Sequence, residues 1–227
     1  MKKENSIIIG TGVIGGYLSK LLLAKKHRVI VTSRKIKKNY INYSKLNIEK
    51  KVIFEKLDFL KKKKILDIIK KYNPNYIFYF SGQGSLTKSI NLKKETNDSN
   101  YVGAKKFLEI LHKYKFKSKF YKANSGYIFE SKNGLIDINS KISSNNNPYI
   151  KSQIKAYQEV KKFRKRGVNS SNLIFMQVES PLRNNDFLIK KICEHAKSKK
   201  NISLGNLNTI RDYCWAPEIV KAIYYLT

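Results

Sequence analysis

The stretch Ile7-Ile8-Ile9-Gly10-Thr11-Gly12-Val13-Ile14-Gly15-Gly16-Tyr17-Leu18 decides the fold. An apolar run enters a turn with glycine at 10, 12 and 15. An amphipathic segment follows to Lys26, and a second apolar run, Val29-Ile30-Val31, comes next. The order is strand, glycine turn, helix, strand. In that context GxGxxG predicts a dinucleotide site. Gly10 permits the tight turn, and Gly12 lets backbone approach a pyrophosphate. Gly15 lets the helix lie close to the strand. The free N–H groups at the positive helix end then face the phosphates, through Gly10, Thr11, Gly12, Val13, Ile14 and Gly15.

Working outward, strand-like and helical stretches alternate. Val52-Ile53-Phe54 reads as a third strand ending near Asp58. A helix follows over 60–72, with Ile65, Leu66, Ile68 and Ile69 in its apolar stripe, and Asn73-Pro74 breaks it. Tyr76-Ile77-Phe78-Tyr79-Phe80 is continuously apolar, as in a strand buried on both faces. Val102 to Tyr114 reads as a helix, Lys119 to Ala123 as a strand, and Pro148 opens a helix to about Arg166. Leu173 to Val178 reads as a sixth strand, and the Asn-rich stretch 140–147 is a loop. This alternation predicts an α/β fold with a doubly wound parallel sheet and right-handed crossovers.

With 227 residues, 41% of them hydrophobic, the chain is expected to form one globular domain. No apolar run is long enough for a signal segment or a membrane span. Cys193 and Cys214 have no metal-ligand spacing and read as ordinary reduced residues, so a cytoplasmic protein is expected. His27, His112 and His195 fall on helices or at helix ends with no metal spacing, and no metal is implied.

The charge is extreme. Against 47 Lys and Arg stand 16 Asp and Glu, a net charge of +31. Such a field favours polyanionic partners and raises a basic nucleic-acid-binding module as one reading. The lysines are scattered, however, as in Lys61–Lys64 and Lys197–Lys200, and no nucleic-acid motif accompanies them. A solvated surface in a chain rich in Lys, Asn, Ile and Tyr accounts for most of them. At the end of the second strand, where NAD sites place an acid for the ribose hydroxyls, the chain has Thr32-Ser33-Arg34-Lys35. Arg34 suits a 2′-phosphate, so NADP is expected over NAD, which is kept as the second possibility.

Several further motifs coincide in order and spacing. They are Asp58, Phe80-Ser81-Gly82-Gln83, Asn100-Tyr101-Val102-Gly103-Ala104, Ala123-Asn124-Ser125 and Pro148-Tyr149. Glu179-Ser180-Pro181-Leu182-Arg183, Ser203-Leu204-Gly205-Asn206-Leu207 and Arg211-Asp212-Tyr213 complete the series. In these the whole chain resembles the extended short-chain dehydrogenase/reductases, and among them the GDP-mannose 4,6-dehydratase type. The resemblance implies a single domain over 1–227, with a Rossmann-like dinucleotide-binding core at 1–178. Residues 179–227 would form a short, truncated part of the substrate-binding lobe, because relatives continue beyond Thr227. It implies a GDP- or UDP-linked sugar as substrate, hydride transfer at the sugar C4, and pairing into a homodimer through a helix bundle. Asp58, Phe80, Ser81, Gly82, Tyr149 and Gln153 would touch the cofactor. Gln83, Glu179, Arg183, Asn206 and Arg211 would touch the substrate.

The same resemblance puts the catalytic set at Ser125, Tyr149 and Gln153. The family uses Ser or Thr, a Tyr acid/base, and a Lys four residues after it that lowers the Tyr pKa. This chain has Gln153 there. Lys151 and Lys155 sit at offsets that leave the helix face of Tyr149. Dehydratases also carry an acidic pair after the Ser or Thr, where this chain has Gly126 and Tyr127. A phenol without a neighbouring cation is a poor base at neutral pH. Two readings therefore stay open: an enzyme with an atypical site, and a catalytically impaired protein that binds NAD(P) or a nucleotide sugar.

Overall fold

The computed structural model describes residues 3–137 and 139–227. The elements run β1 (Asn5–Ile9), α1 (Val13–Ala24), β2 (Arg28–Ser33), α2 (Ile41–Lys45), β3 (Ile53–Lys56), α3 (Lys62–Tyr72) and β4 (Tyr76–Tyr79). Then come α4 (Leu86–Asn91), α5 (Lys93–Asn97), α6 (Gly103–Lys113), β5 (Lys119–Ser125), α7 (Pro148–Lys165) and β6 (Ser170–Phe175). The last elements are β7 (Gln177–Glu179), α8 (Leu188–Lys197), β8 (Tyr213–Trp215) and α9 (Ala216–Tyr225). Six strands pair in the order β3-β2-β1-β4-β5-β6, all parallel, which is the doubly wound arrangement the alternation predicts.

Strand alternation sorts the core into two layers. Ile7, Ile9, Ile30, Ile77, Tyr79 and Phe120 face α3, α6 and α7, where Ile65, Ile69, Phe107, Leu111 and Val160 cover them. Ile8, Val29, Val31, Phe78 and Tyr121 face the other side, under Leu18 and Leu22 of α1. Val220 and Ile223 of α9 join that second layer, so the core draws on residues beyond 178.

Strand order reverses between β1 and β4, and there the glycine turn sits. Gly10 has φ +112°, a conformation L side chains rarely adopt, and a Cβ on it would lie 3.1 Å from the Ser81 amide nitrogen. A Cβ on Gly15 would lie 3.0 Å from the Gly10 carbonyl oxygen and 3.2 Å from Ile8 Cγ2, so close helix–strand contact excludes one. Gly12 has open space on its Cβ side.

One element differs from expectation. The run from Leu173 to Val178 is not one strand. The last sheet pair is Ser125 with Phe175, because Gly126 begins a 3-10 turn and β5 offers no partner beyond it. The chain breaks at Met176, and Gln177–Glu179 pairs in parallel with Tyr213–Trp215 as a second, two-stranded sheet. Among the described residues no helix is long and apolar enough to cross a membrane.

These glycines make separable predictions. Gly10→Ala is expected to destabilise the fold by about 1–3 kcal/mol through backbone strain and the Ser81 contact. Gly12→Ala, with no atom in its way, is expected to stay within about 0.5 kcal/mol of wild type. Urea denaturation of the two variants side by side checks both.

Candidate functional site

The carboxyl ends of β1, β4 and β5 open on a cleft of about 440 Å³. The glycine turn forms one end, with Gly12, Val13, Ile14 and Gly15. Phe80, Ser81, Gly82 and Gln83 follow β4, and Ser125, Tyr149 and Gln153 close the other end. The fold thus brings together nearly all of the turn, catalytic and β4 residues singled out in the sequence. The Asn147 side chain caps α7 by accepting from the Tyr149 amide at 2.9 Å, and Pro148 occupies the first turn. That cap fixes Tyr149 over Ser125, and Gln153 lies one helical turn on. Both side chains lie close enough to act on the Tyr149 hydroxyl. Burial pushes the Tyr149 phenol above its ordinary range. Ser125, Gln153 and the charge of Arg183 oppose that rise, and nearby Tyr127 adds to it.

A second, larger hollow of about 1080 Å³ adjoins the turn, lined by Thr11, Arg34, Lys35, Lys37, Lys56, Asp58, Lys61, Lys64 and Ser81 among others. Six of those named are cations and one is an acid. Arg34 is exposed and pairs with Glu95 of α5 at 3.2 Å. One Asp58 oxygen accepts from the Leu60 amide at 3.0 Å.

The predicted substrate residues are placed unequally. Gln83 lines the cleft, its amide nitrogen buried without a partner. Arg183 lines it too, stacked 3.5 Å from the Phe187 ring centroid. Glu179 is buried, 3.9 Å from Arg183 Nε, and is not part of the cleft wall. Arg211 is exposed and donates to the Tyr127 hydroxyl at 3.1 Å, beside Gln177 at 3.0 Å. Asn206 is exposed and engages its own turn, accepting from the Asn208 amide at 2.9 Å; it lies apart from the cleft.

Among the cleft residues that the sequence does not mark as site residues, Asn100 and Lys122 carry the most chemistry. Asn100 is fully buried and donates to the Gln83 carbonyl at 3.2 Å and to Ser152 Oγ at 3.0 Å, which leaves its Oδ1 without a donor. Lys122 sits on β5 among aromatic residues at 1% exposure. Its ammonium donates to the Ala123 carbonyl and lies 5.6 Å from the Tyr79 ring centroid. Among the described residues it has no carboxylate partner. Burial alone brings its pKa from 10.5 down to about 7. The signal in the sequence was a lysine inside Phe120-Tyr121-Lys122-Ala123, an otherwise buried strand.

The residues present fit a dinucleotide. Free amides begin α1, where no side chain caps the helix, and Gly12 leaves room beside them. Buried Asn100 Oδ1 and Gln153 Oε1 both lack donors, as acceptors awaiting ligand hydroxyls do. Among the described residues no cluster of three or more His, Cys, Asp or Glu could hold a metal.

Sheet order and glycine turn together define a Rossmann-like dinucleotide-binding fold. Within it, the profile of the GDP-mannose 4,6 dehydratase family matches residues 7–227, and the chain belongs to that family. A relative, GDP-mannose 4,6-dehydratase of Sinorhizobium fredii (strain HH103), is 24% identical over 235 residues. The match covers 95% of this chain and 66% of the relative's length. Among solved structures, UDP-glucose 4-epimerase of Thermotoga maritima with UDP-glucose superposes with a TM-score of 0.84 at 19% identity. That match covers 98% of this chain and 73% of the epimerase. The dTDP-glucose 4,6-dehydratase of Streptomyces venezuelae, solved with NAD bound, gives 0.83 at 16% identity over 96% and 70%.

The Lys122 charge has a stability consequence. Its folded pKa lies below the ordinary value, so between about 7 and 10.5 the unfolded chain holds the extra proton. Stability therefore rises with pH across that window. Lys122→Met is expected to be the more stable protein at pH 7, by a few kcal/mol, with the difference shrinking by pH 9. Denaturant melts of both proteins at the two pH values check the sign.

Proposed function

We propose that this chain holds NADP and a GDP- or UDP-linked sugar in the cleft, and that its chemistry is confined to hydride and proton transfer at the sugar C4, without loss of water. One observation carries the reading: Tyr149, Ser125 and Gln153 stand together in a cleft that, among the described residues, no carboxylate lines. Removing water from a sugar needs an acid/base beyond the phenol. Gly126 and Tyr127 do not supply a carboxylate, and Glu179 is buried behind Arg183.

The residues divide the work. The α1 amides hold the diphosphate, and the Arg34 hollow, rich in lysine, holds the 2′-phosphate. When bound, the nicotinamide serves as hydride acceptor or donor. Ser125 orients the sugar hydroxyl, Tyr149 exchanges its proton, and Gln153 holds ribose by hydrogen bonds without charge. Arg183, which lines the cleft, and Arg211, held on the hydroxyl of cleft-lining Tyr127, suit a sugar-nucleotide diphosphate. Gln153 also favours a second reading, in which binding persists and turnover is slight, because the buried phenol has no close cation from its own helix.

Calorimetric titration is expected to give tighter binding of NADP than of NAD. Arg34→Glu is expected to reverse the order, losing about 1–3 kcal/mol for NADP as a charged hydrogen bond is removed. Tighter binding of NAD by the wild type would refute the 2′-phosphate assignment. Incubation with GDP-mannose and NADP, read by mass spectrometry, is expected to yield no 4-keto-6-deoxy product. Efficient formation of that product would show that another group performs the elimination.

A further inference from the structure

Gln153 gives the phenol no cation from its own helix, and among the described residues the two cations that line the cleft are Arg183 and Lys122. Lys122 rises from β5 on the face that α7 covers, among the residues that also include Tyr149, Gln153, Asn100 and Ser125. A buried amine with no carboxylate is costly to keep charged. Its ammonium has one acceptor, the Ala123 carbonyl, out of the three an ammonium can satisfy. Around the cleft three buried acceptors, Gln153 Oε1, Asn100 Oδ1 and Asn124 Oδ1, have no donor. Donor and acceptors are complementary, and a ligand hydroxyl or water would join them.

We propose that Lys122 is the proton-holding group of this cleft, neutral beside an oxidised nicotinamide ring and an ammonium beside a reduced one. The proposal rests on the reading that the dinucleotide's ring lies at the Tyr149 end. Electrostatics give the direction. The oxidised ring carries a positive charge that opposes a second one nearby in a low-dielectric site, and the reduced ring carries none. Oxidation of a sugar carbinol balances in the same terms. The carbon loses a hydride, with both C–H electrons, to the nicotinamide. The hydroxyl proton goes to Tyr149, which passes its own to a bridging water or ligand hydroxyl, and one proton comes to rest on the Lys122 amine, so the net positive charge of the site is unchanged. Lys122 acts on the reacting atoms only through that bridge and is a positioning residue. Burial already sets the amine to titrate near neutrality, the range in which such an exchange is easy. The other charged or titratable groups facing the pair are Tyr79 from β4, Tyr127 after β5 and Arg183 after β7. Among the described residues no histidine or carboxylate lines the cleft.

The test is proton stoichiometry on binding, which needs no turnover. NADP and NADPH are titrated into the protein by calorimetry at pH 7 in buffers of different ionisation enthalpy. The 2′-phosphate is common to both and cancels. Wild-type protein is expected to take up several tenths of a proton more with NADPH than with NADP. Lys122→Gln and Lys122→Met, each checked for a cooperative melt, are expected to abolish that difference. Equal stoichiometry for the two cofactors in wild type, or a difference that survives both variants, overturns the assignment of Lys122. Failure of both cofactors to bind overturns the dinucleotide reading and this proposal with it.

Discussion

The meeting of two loops, after β1 and after β4, is the constraint on which the rest depends. The Gly10 turn lies so close to Phe80 and Ser81 that a single methyl group would come within 3.1 Å of backbone. That approach fixes where α1 starts, and so where its unpaired amides point. It also places Gly82 and Gln83 at the mouth of the cleft, where Asn100 ties the Gln83 carbonyl to Ser152 on α7. Through α7 the same chain of contacts reaches Tyr149. A dinucleotide cleft here is therefore one rigid consequence of a strand-order reversal, not a set of separate loops.

The electrostatics of the two hollows differ in kind. Around Arg34, exposed lysines gather with little opposition and little cost, because water screens them. Around Tyr149, the charges are few and buried. The ion pair of Arg183 and Glu179 is loose, burial raises the Glu179 carboxyl and lowers the Arg183 guanidinium, and Lys122 stands alone. A ligand entering the second hollow meets groups whose charge it can itself alter. The net charge of +31 says little about that; a single buried amine says more.

The order of strands was legible because apolar runs of four or five residues between helical stripes admit few topologies. The split at Met176 was not, since nothing in Leu173 to Val178 marks where β5 ceases to offer a partner. The short α2 was equally hidden. Its Tyr43 is wholly buried, yet Ile41-Asn42-Tyr43-Ser44-Lys45 has too few residues to display a helical period. Ser125, Tyr149 and Gln153 were found through spacing and resemblance, and the fold gathers them. Asn206, found the same way, faces solvent. Lys122 was missed because a lysine in a very basic chain reads as surface, whereas both faces of a central parallel strand are covered.

The central claim is that one continuous cleft runs from the glycine turn to Tyr149 and takes a dinucleotide along its length. Hydrogen-exchange mass spectrometry with and without saturating NADPH tests this most directly. The account predicts slowed exchange at three separated stretches together: the first turn of α1, residues 80–84 after β4, and the first two turns of α7. Protection confined to one of these, or found only on the exposed lysine-rich helices, would contradict it.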